Sequence, residues 1–449
     1  MPQLLTMIIS IALGTLLNPL NSSMISVAQP TLITVFHTQL SAMSLMIGSY
    51  YIVSAIAQPA MGRLGDLFGH KRFFLLGVLL VAIASVAAPF SPNFWTLLVI
   101  RLIQAAGSAT ISPNGMALVR HKVRERQQGN AFGILATVTG AGAALGPTIG
   151  GLLLALGWQA LFLINLPLCL IAGLLAWRTL EETPQQPNII FDYRGTASLA
   201  AVLAGLMYLL DSLIGGHLSL VWVVVFALGS FCFAWFEQHT EEPLISFGLF
   251  RQRRFALVSI VTFLTNLAMY ALLFSFPLYL ELLRHFSHAT TGLLMLSFSG
   301  VMSLISPLGG RLTDQHGAKP PLIIGAACSV LGMILLAMWT GLRTPLPWVI
   351  GAMIVSGVGV GIGGVAMQTA IIQAVPREMS GIASGLFMTV RYMGTIFSQT
   401  LLDGFLGRSV TLPGLRAMDL VLAVLLVVAL VASLLIRQQK EAGERVSEA

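Results

Sequence analysis

Gly62-Arg63-Leu64-Gly65-Asp66-Leu67-Phe68-Gly69-His70-Lys71-Arg72 is a polar turn set between two apolar runs. A second turn, Gly310-Arg311-Leu312-Thr313-Asp314-Gln315-His316-Gly317-Ala318-Lys319, repeats its frame. Both fit G-x-L-x-D-x-x-G-x-K, and each matched residue of the second lies 248 positions after its counterpart. A fixed long offset is the mark of an internal duplication. The glycines suit a tight turn between antiparallel helices. The aspartate suits a helix N-terminus, paired with a nearby Arg or Lys. The pattern predicts a duplicated bundle whose paired loops latch one side shut in one state and release it in another.

Outward from these loops, the chain is overwhelmingly apolar. Of 449 residues, 56% are hydrophobic and 9% charged, with a mean hydropathy of +0.87. Soluble domains carry about 25% charged residues. A surface this poor in charge cannot face water, which excludes a soluble enzyme or a nucleic-acid binder and predicts a multi-pass membrane protein. A helix needs about 20 apolar residues to cross a bilayer. Fourteen such stretches are read: 5–29, 42–61, 73–91, 95–117, 131–155, 159–178, 195–214, 218–236, 255–279, 290–309, 321–341, 347–372, 381–404 and 417–436. The expected fold is an all-α integral membrane protein with two pseudo-symmetric six-helix bundles (1–180 and 255–436). A two-helix insert with its linkers fills 181–254, and a short tail occupies 437–449. Met1-Pro2-Gln3 has no basic leader, so the first span is expected to remain in the chain.

Orientation follows the Lys/Arg bias. With the N-terminus inside, eighteen Lys/Arg fall in cytoplasmic loops or the tail, four fall outside, and Arg101 and Arg391 lie within spans. Both termini are therefore expected to be cytoplasmic, in a cell (inner) membrane. The net charge of +7 then reflects insertion and anionic lipid, not nucleic acid. Cys169, Cys232 and Cys328 stand alone in apolar runs, as packed thiols. No phosphate-cradling loop, nucleophile elbow or metal-ligand spacing is present. No cofactor, no metal and no enzymatic activity are expected.

Three further stretches carry a likeness. Span 4 reads Leu97-x-x-x-Arg101-x-x-Gln104-x-x-Gly107-x-Ala109. Span 5 reads Gly142-x-x-x-Gly146-Pro147-x-x-Gly150-Gly151. Span 1 reads Leu20-Asn21-Ser22-Ser23-Met24-Ile25-Ser26-Val27-Ala28-Gln29-Pro30. With the paired loops, the chain resembles the major facilitator superfamily, and its fourteen-span drug:proton antiporter branch in particular. The resemblance implies secondary active transport by alternating access, with substrate bound between bundles near the midplane. It departs in span 4, with Ala105 where glycine is usual, and at one point that bears on mechanism. The branch's span-1 signature holds an aspartate where this chain has Asn21, and an amide carries no exchangeable proton.

The resemblance also implies that spans 1, 4, 9 and 12 line the cavity. Substrate-binding candidates on them are Asn18, Asn21, Gln104, Asn114, Asn266, Tyr270, Phe274, Met367 and Gln368. Coupling and gating candidates are Arg101 and Arg391, the loop residues Gly62, Asp66, Gly69, Lys71, Arg72 and Asp314, and Gly142, Gly146, Pro147, Gly150 and Gly151. A cation at a span's centre costs about 2.5–3.5 kcal/mol to insert unless it is paired or hydrated. The span-5 glycines, four apart, invite a close helix neighbour. Asp211 and Asp403 are candidate proton sites, though Asp211, Asp403, Asp419 and Glu281 all read as hydrated interfacial carboxylates. His37, His217, His285 and His288 read as surface histidines of outer loops. With more positive than negative charge at mid-depth, the expected cargo is a neutral, zwitterionic or anionic amphiphile rather than a lipophilic dication.

Proton-coupled efflux of amphiphilic drugs or related compounds is the leading reading. Partners are then a small amphiphilic substrate, protons and membrane lipid. A periplasmic adaptor is a further candidate, and the chain is expected to be a monomer. Two alternatives stay open: a facilitator or lipid/metabolite exporter of the same fold with no coupling at span 1, and a non-transporting sensor.

Overall fold

The computed structural model describes residues 2–183, 193–214, 218–239, 247–374, 380–407 and 409–436. The tail 437–449 lies outside them, as does the side chain of Asp211. Among the described residues there is no strand. In a hydrocarbon solvent each backbone group must be satisfied within its own segment, and the helix does this.

The first group is α1 (Pro2–Val35), α2 (Leu40–Phe68), α3 (His70–Ala87), α4 (Phe94–Lys122), α5 (Glu125–Leu154) and a broken span, α6 (Ala160–Leu163) with α7 (Asn165–Thr179). Two helices follow, α8 (Tyr193–Ile214) and α9 (Leu220–His239), then a single turn, α10 (Phe247–Phe250). The last group is α11 (Arg253–Leu278), prolonged by a π-helical turn at Tyr279–Leu283, then α12 (His288–Met295) with α13 (Ser299–His316), α14 (Lys319–Trp339), α15 (Leu346–Ile372), α16 (Ser380–Leu406) and α17 (Leu412–Leu435). Thirteen of the described segments are long and apolar enough to cross a membrane. The segment at the expected thirteenth span, α16, is 27 residues long but is not one of these, being interrupted by Arg391, Thr395, Ser398, Gln399, Thr400 and Asp403.

Within the first group α1 packs on α5 and α7, α3 on α4, and α2 on α4. In the last group α14 packs on α15 and α17, and α11 on α16. The two groups meet through α1 and α11, α2 and α16, and α5 and α12. The insert lies over one of these seams, with α8 touching both α2 and α16. α8 and α9 hold each other by small-residue contact: a Cβ on Gly205 would lie 2.8 Å from the Phe226 nitrogen. Tyr208 stacks on Trp222 at 4.4 Å. Large apolar side chains such as Leu79, Trp95, Leu170, Phe231 and Val424 face outward, as a lipid-solvated surface requires.

The span-5 glycines do what their spacing predicts. A Cβ on Gly142 would lie 3.4 Å from Pro19, and one on Gly150 would lie 2.9 Å from the Met24 carbonyl. Gly146 faces Ser23. All three seat α5 against α1. Gly151 turns the other way, and a Cβ there would lie 2.8 Å from Gly292 Cα on α12. One run of small residues therefore serves both an internal contact and the seam.

The paired loops correct one expectation. Asp66 is not at a helix N-terminus, because α2 runs on to Phe68 and the turn comes at Gly69. Gly69 and Gly317 take φ of 104° and 77°, the left-handed region open to glycine. Gly62 stays helical and packs near Pro113. Asp66 pairs with His70, Oδ1 to Nε2 3.0 Å. Gly317→Ala is expected to lower stability by about 1–2 kcal/mol through left-handed strain. A fall in the thermal midpoint of the detergent-purified protein, absent in Gly310→Ala on the helical part, checks this.

Candidate substrate site

Midway along their helices, four tyrosines from three helices converge: Tyr50 and Tyr51 on α2, Tyr270 on α11 and Tyr392 on α16. Tyr51 is the hub. Its ring lies 5.8 Å from Tyr50, 5.5 Å from Tyr270 and 5.9 Å from Tyr392. Tyr270 stacks in turn near Phe274, 6.0 Å between centroids. Such edge and offset contacts place ring edges against ring faces, the arrangement aromatic quadrupoles favour. The Gln58 amide donates to the Tyr392 hydroxyl, joining α2 to α16.

Two cations flank this cluster. Arg101 is 2% exposed, its guanidinium 4.4 Å from the Tyr50 ring centroid. It donates to Gln104 Oε1 at 2.6 Å, and Gln104 donates to Ser85 Oγ at 3.0 Å. Tyr50 and Ser108 share a hydroxyl hydrogen bond of 3.0 Å. Arg391 is half-buried and donates through Nε to Asn266 Oδ1 at 3.2 Å, while Asn266 donates to the Thr262 carbonyl. No carboxylate forms an ion pair with either arginine among the described residues. Cation–π stacking and amide dipoles stabilise both charges in place of a counter-ion.

The candidate residues thus divide. Tyr270, Phe274, Asn266, Arg391, Arg101 and Gln104 belong to this cluster or to its two arginines. Asn21 is buried and accepts from Asn165 Nδ2 at 2.7 Å, an amide pair between α1 and α7. Asn18 is half-buried, one turn away on α1. Three others lie elsewhere. Asn114 sits under the signature loop, 2.8 Å from His70 Nδ1 and donating to the Met61 carbonyl. Met367 packs in the apolar core with Leu322, Ile371 and Leu386, and Gln368 is exposed. Tyr51, Tyr392, Gln58 and Asn165 were not among the candidates. Their signal was a hydroxyl or amide in the middle of an apolar run.

At the end carrying the paired loops, bonds lace the first group together. Lys71 Nζ donates to the Trp177 carbonyl, and Glu182 accepts from the Lys71 amide and lies 3.6 Å from Arg72. Lys122 pairs with Glu181 and holds that carboxyl below the usual range. Asp314 is exposed. At the opposite end the two groups join directly. Gln29 donates to the Phe274 carbonyl at 3.2 Å, Thr148 to the Gly292 carbonyl at 2.8 Å, and Thr31 lies 3.4 Å from His288. The far end is closed, whereas α4 and α15 make no extensive contact among the described residues.

The carboxylates also depart from expectation. Glu281 is not in a hydrated loop: the π-helical turn carries it into the protein, where it is buried and 2.8 Å from His288 Nδ1. Asp419 is 4% exposed because α17 begins at Leu412, seven residues before it. Asp403 is half-buried beside a crevice that α2, α8 and α16 form with Ser44, Met207, Tyr208 and Gln399.

A multi-pass helical protein with two groups meeting over a central polar-aromatic cluster, shut at one end, is built as a membrane transporter. The Major Facilitator Superfamily model matches residues 11–399 and 258–448, and the chain belongs to that family. It is 38% identical to YwoD, an MFS-type transporter of Bacillus subtilis, over 92% of this chain and 93% of YwoD. It is 29% identical to the multidrug resistance protein Stp of Mycobacterium tuberculosis (90% of this chain, 76% of Stp). It is 27% identical to the riboflavin transporter RibZ of Clostridioides difficile (92% and 90%). Among solved structures, its fold is similar to a POT family transporter in complex with 5-aminolevulinic acid, with a TM-score of 0.71 at 15% identity over 96% of each chain. A bacterial homologue of the lysosomal transporter Spinster gives 0.68 at 16% identity, over 98% and 99%.

Proposed function

We propose that this chain is a proton-coupled exporter of flat aromatic amphiphiles that are neutral or anionic, working by alternating access. In this reading α16 also crosses the membrane, as the thirteenth of fourteen spans. The paired loops and both termini face the cytoplasm, and the closed far end faces outside the inner membrane. The supporting observation is Arg101, wholly buried, stacked on Tyr50 and without a carboxylate partner. A dication entering beside Arg101 and Arg391 would meet like charge at low dielectric, whereas an acidic or uncharged aromatic would find cations and ring faces. The names of Stp and RibZ agree with a cargo of drug-like or heteroaromatic molecules. The driving force is sufficient: about 2.3 kcal/mol per charge at 100 mV supports roughly fifty-fold accumulation.

The test is flux into proteoliposomes under an imposed pH gradient. An acidic flat aromatic is expected to move at least several-fold faster than a dication of similar size, and to respond to the gradient. Preference for the dication, or indifference to the gradient, sinks the reading. A facilitator is the second reading, and Asn21 favours it, since its oxygen is already taken by Asn165. Asn21→Asp keeps an acceptor for Asn165, so the variant is expected to fold and to steepen the pH response. Unchanged pH dependence would show that span 1 carries no coupling role.

A further inference from the structure

Glu281 and His288 stand apart from the central cluster and occupy the seam that closes the far end. Glu281 lies in the one π-helical turn among the described residues, and such turns gather at functional positions. Its side chain is 4% exposed. One oxygen, Oε2, is 2.8 Å from His288 Nδ1. The other, Oε1, is buried without a hydrogen bond of normal geometry, as is the neighbouring Thr291 hydroxyl. His288 faces two ways. Its side chain, 41% exposed, is open to the surface on one side, while Nε2 lies 3.4 Å from Thr31 of α1. Its backbone carbonyl lies against Gly151 of α5. The pair thus belongs to the last group and is roofed by the first.

Few other charges reach it. The facing stretches, 29–35 of α1 and 147–154 of α5, contain no titratable residue. On α11 and its π-turn, Tyr279 donates to the Gly341 carbonyl, and Arg284 is turned away onto the Gly341 and Thr344 carbonyls. His285 follows in the left-handed turn at φ 57°.

Closing the far end buries Glu281 while His288 keeps one face at the surface, and burying a net charge costs far more than burying a neutral pair. With one proton shared between them, carboxylate and imidazole are neutral overall. With none, the pair is an anion. With two, it is a cation.

We infer that the Glu281–His288 pair is the outer-face proton site of the transport cycle, and that the outer gate closes over it only when the pair holds a single proton. This rests on the proposed proton-coupled cycle. An empty carrier open to the outside would have to load a proton before it could return. His288, at the water's edge, passes the proton to the buried Glu281 without any net chemistry beyond the transfer. As external pH rises and the shared proton leaves, closure is lost.

The experiment reads the gate, with no transported compound present. Cys169, Cys232 and Cys328 are replaced, and spin labels are placed at the exposed Leu156 and Leu342 on opposite sides of the outer seam. Pulsed EPR distances are then recorded in liposomes from pH 5 to pH 9. The open-to-closed ratio of the parent is expected to rise by up to about tenfold per pH unit, the slope of one linked proton. Glu281→Gln leaves only the imidazole to titrate, so the dependence inverts: closed at high pH, opening as pH falls. His288→Gln keeps the original sense and shifts the midpoint to lower pH. A flat parent, or a Glu281→Gln variant that keeps the parent's rise, overturns the inference. A pH-gated seam in a protein whose substrate flux ignores the gradient would instead overturn the proposed function and leave the gate standing.

Discussion

Replacing Arg101 by methionine is expected to lower the apparent affinity for an acidic aromatic substrate by about 10- to 100-fold while the protein still folds. A charge-assisted hydrogen bond is worth about 1.5–3 kcal/mol, and each 1.4 kcal/mol is tenfold. The fold survives because a buried charge without an ionic partner adds little net stability, and an apolar side chain of similar volume is tolerated in its place. Gln104 keeps its bond to Ser85. Arg101→Lys separates charge from shape. Lysine restores the cation but not the planar stack on Tyr50 or the fork that reaches Gln104. It should recover part of the affinity. Binding titration alongside a thermal midpoint checks both. Full affinity in Arg101→Met would remove the arginine from the site.

Gly151→Leu should abolish turnover, to below roughly 5% of wild type, while substrate still binds. The position faces Gly292 at backbone contact, with no flexible side chain to move aside. A leucine would have to push α5 from α12, which holds the far end open. Small-to-large changes in packed contacts cost about 1–3 kcal/mol or more, enough to shift a two-state equilibrium by tenfold or beyond. Gly150→Leu is the control. It faces Met24 within the first group, so its effect should fall on stability and not on which end opens. Labelling of a single cysteine in the outer seam distinguishes them. If Gly151→Leu labels like wild type and still transports, the seam is not where the groups part.

Most of the spans were legible because membrane burial needs long apolar runs; α16, broken by polar residues, is the exception. The span-5 glycines were legible too, since a four-residue spacing sets one face. What was not legible depends on rotation and depth. Asn114 and Met367 lie on spans 4 and 12 (α4 and α15) as expected, but the faces they occupy point to His70 and to an apolar core. Helix register against neighbours decides this, and no local pattern encodes it. Tyr51 and Tyr392 were overlooked because spans 2 and 13 were not expected to line the centre. Glu281 was misread because a π-helical turn prolongs α11 past the apparent end of its apolar run, where a loop was expected. Asp403 was read as hydrated, yet α8 crosses the α2–α16 seam and half-covers it, a packing no span count discloses.

Alternating access is the claim on which the rest depends, and locking the far end tests it most directly. With the three native cysteines replaced, Leu156→Cys and Leu342→Cys place exposed thiols on opposite sides of the outer seam. Bridging them with a short disulfide-containing bis-maleimide should stop substrate flux in proteoliposomes, and reductive cleavage of the bridge should restore it. Undiminished flux through the fully crosslinked protein would contradict the account.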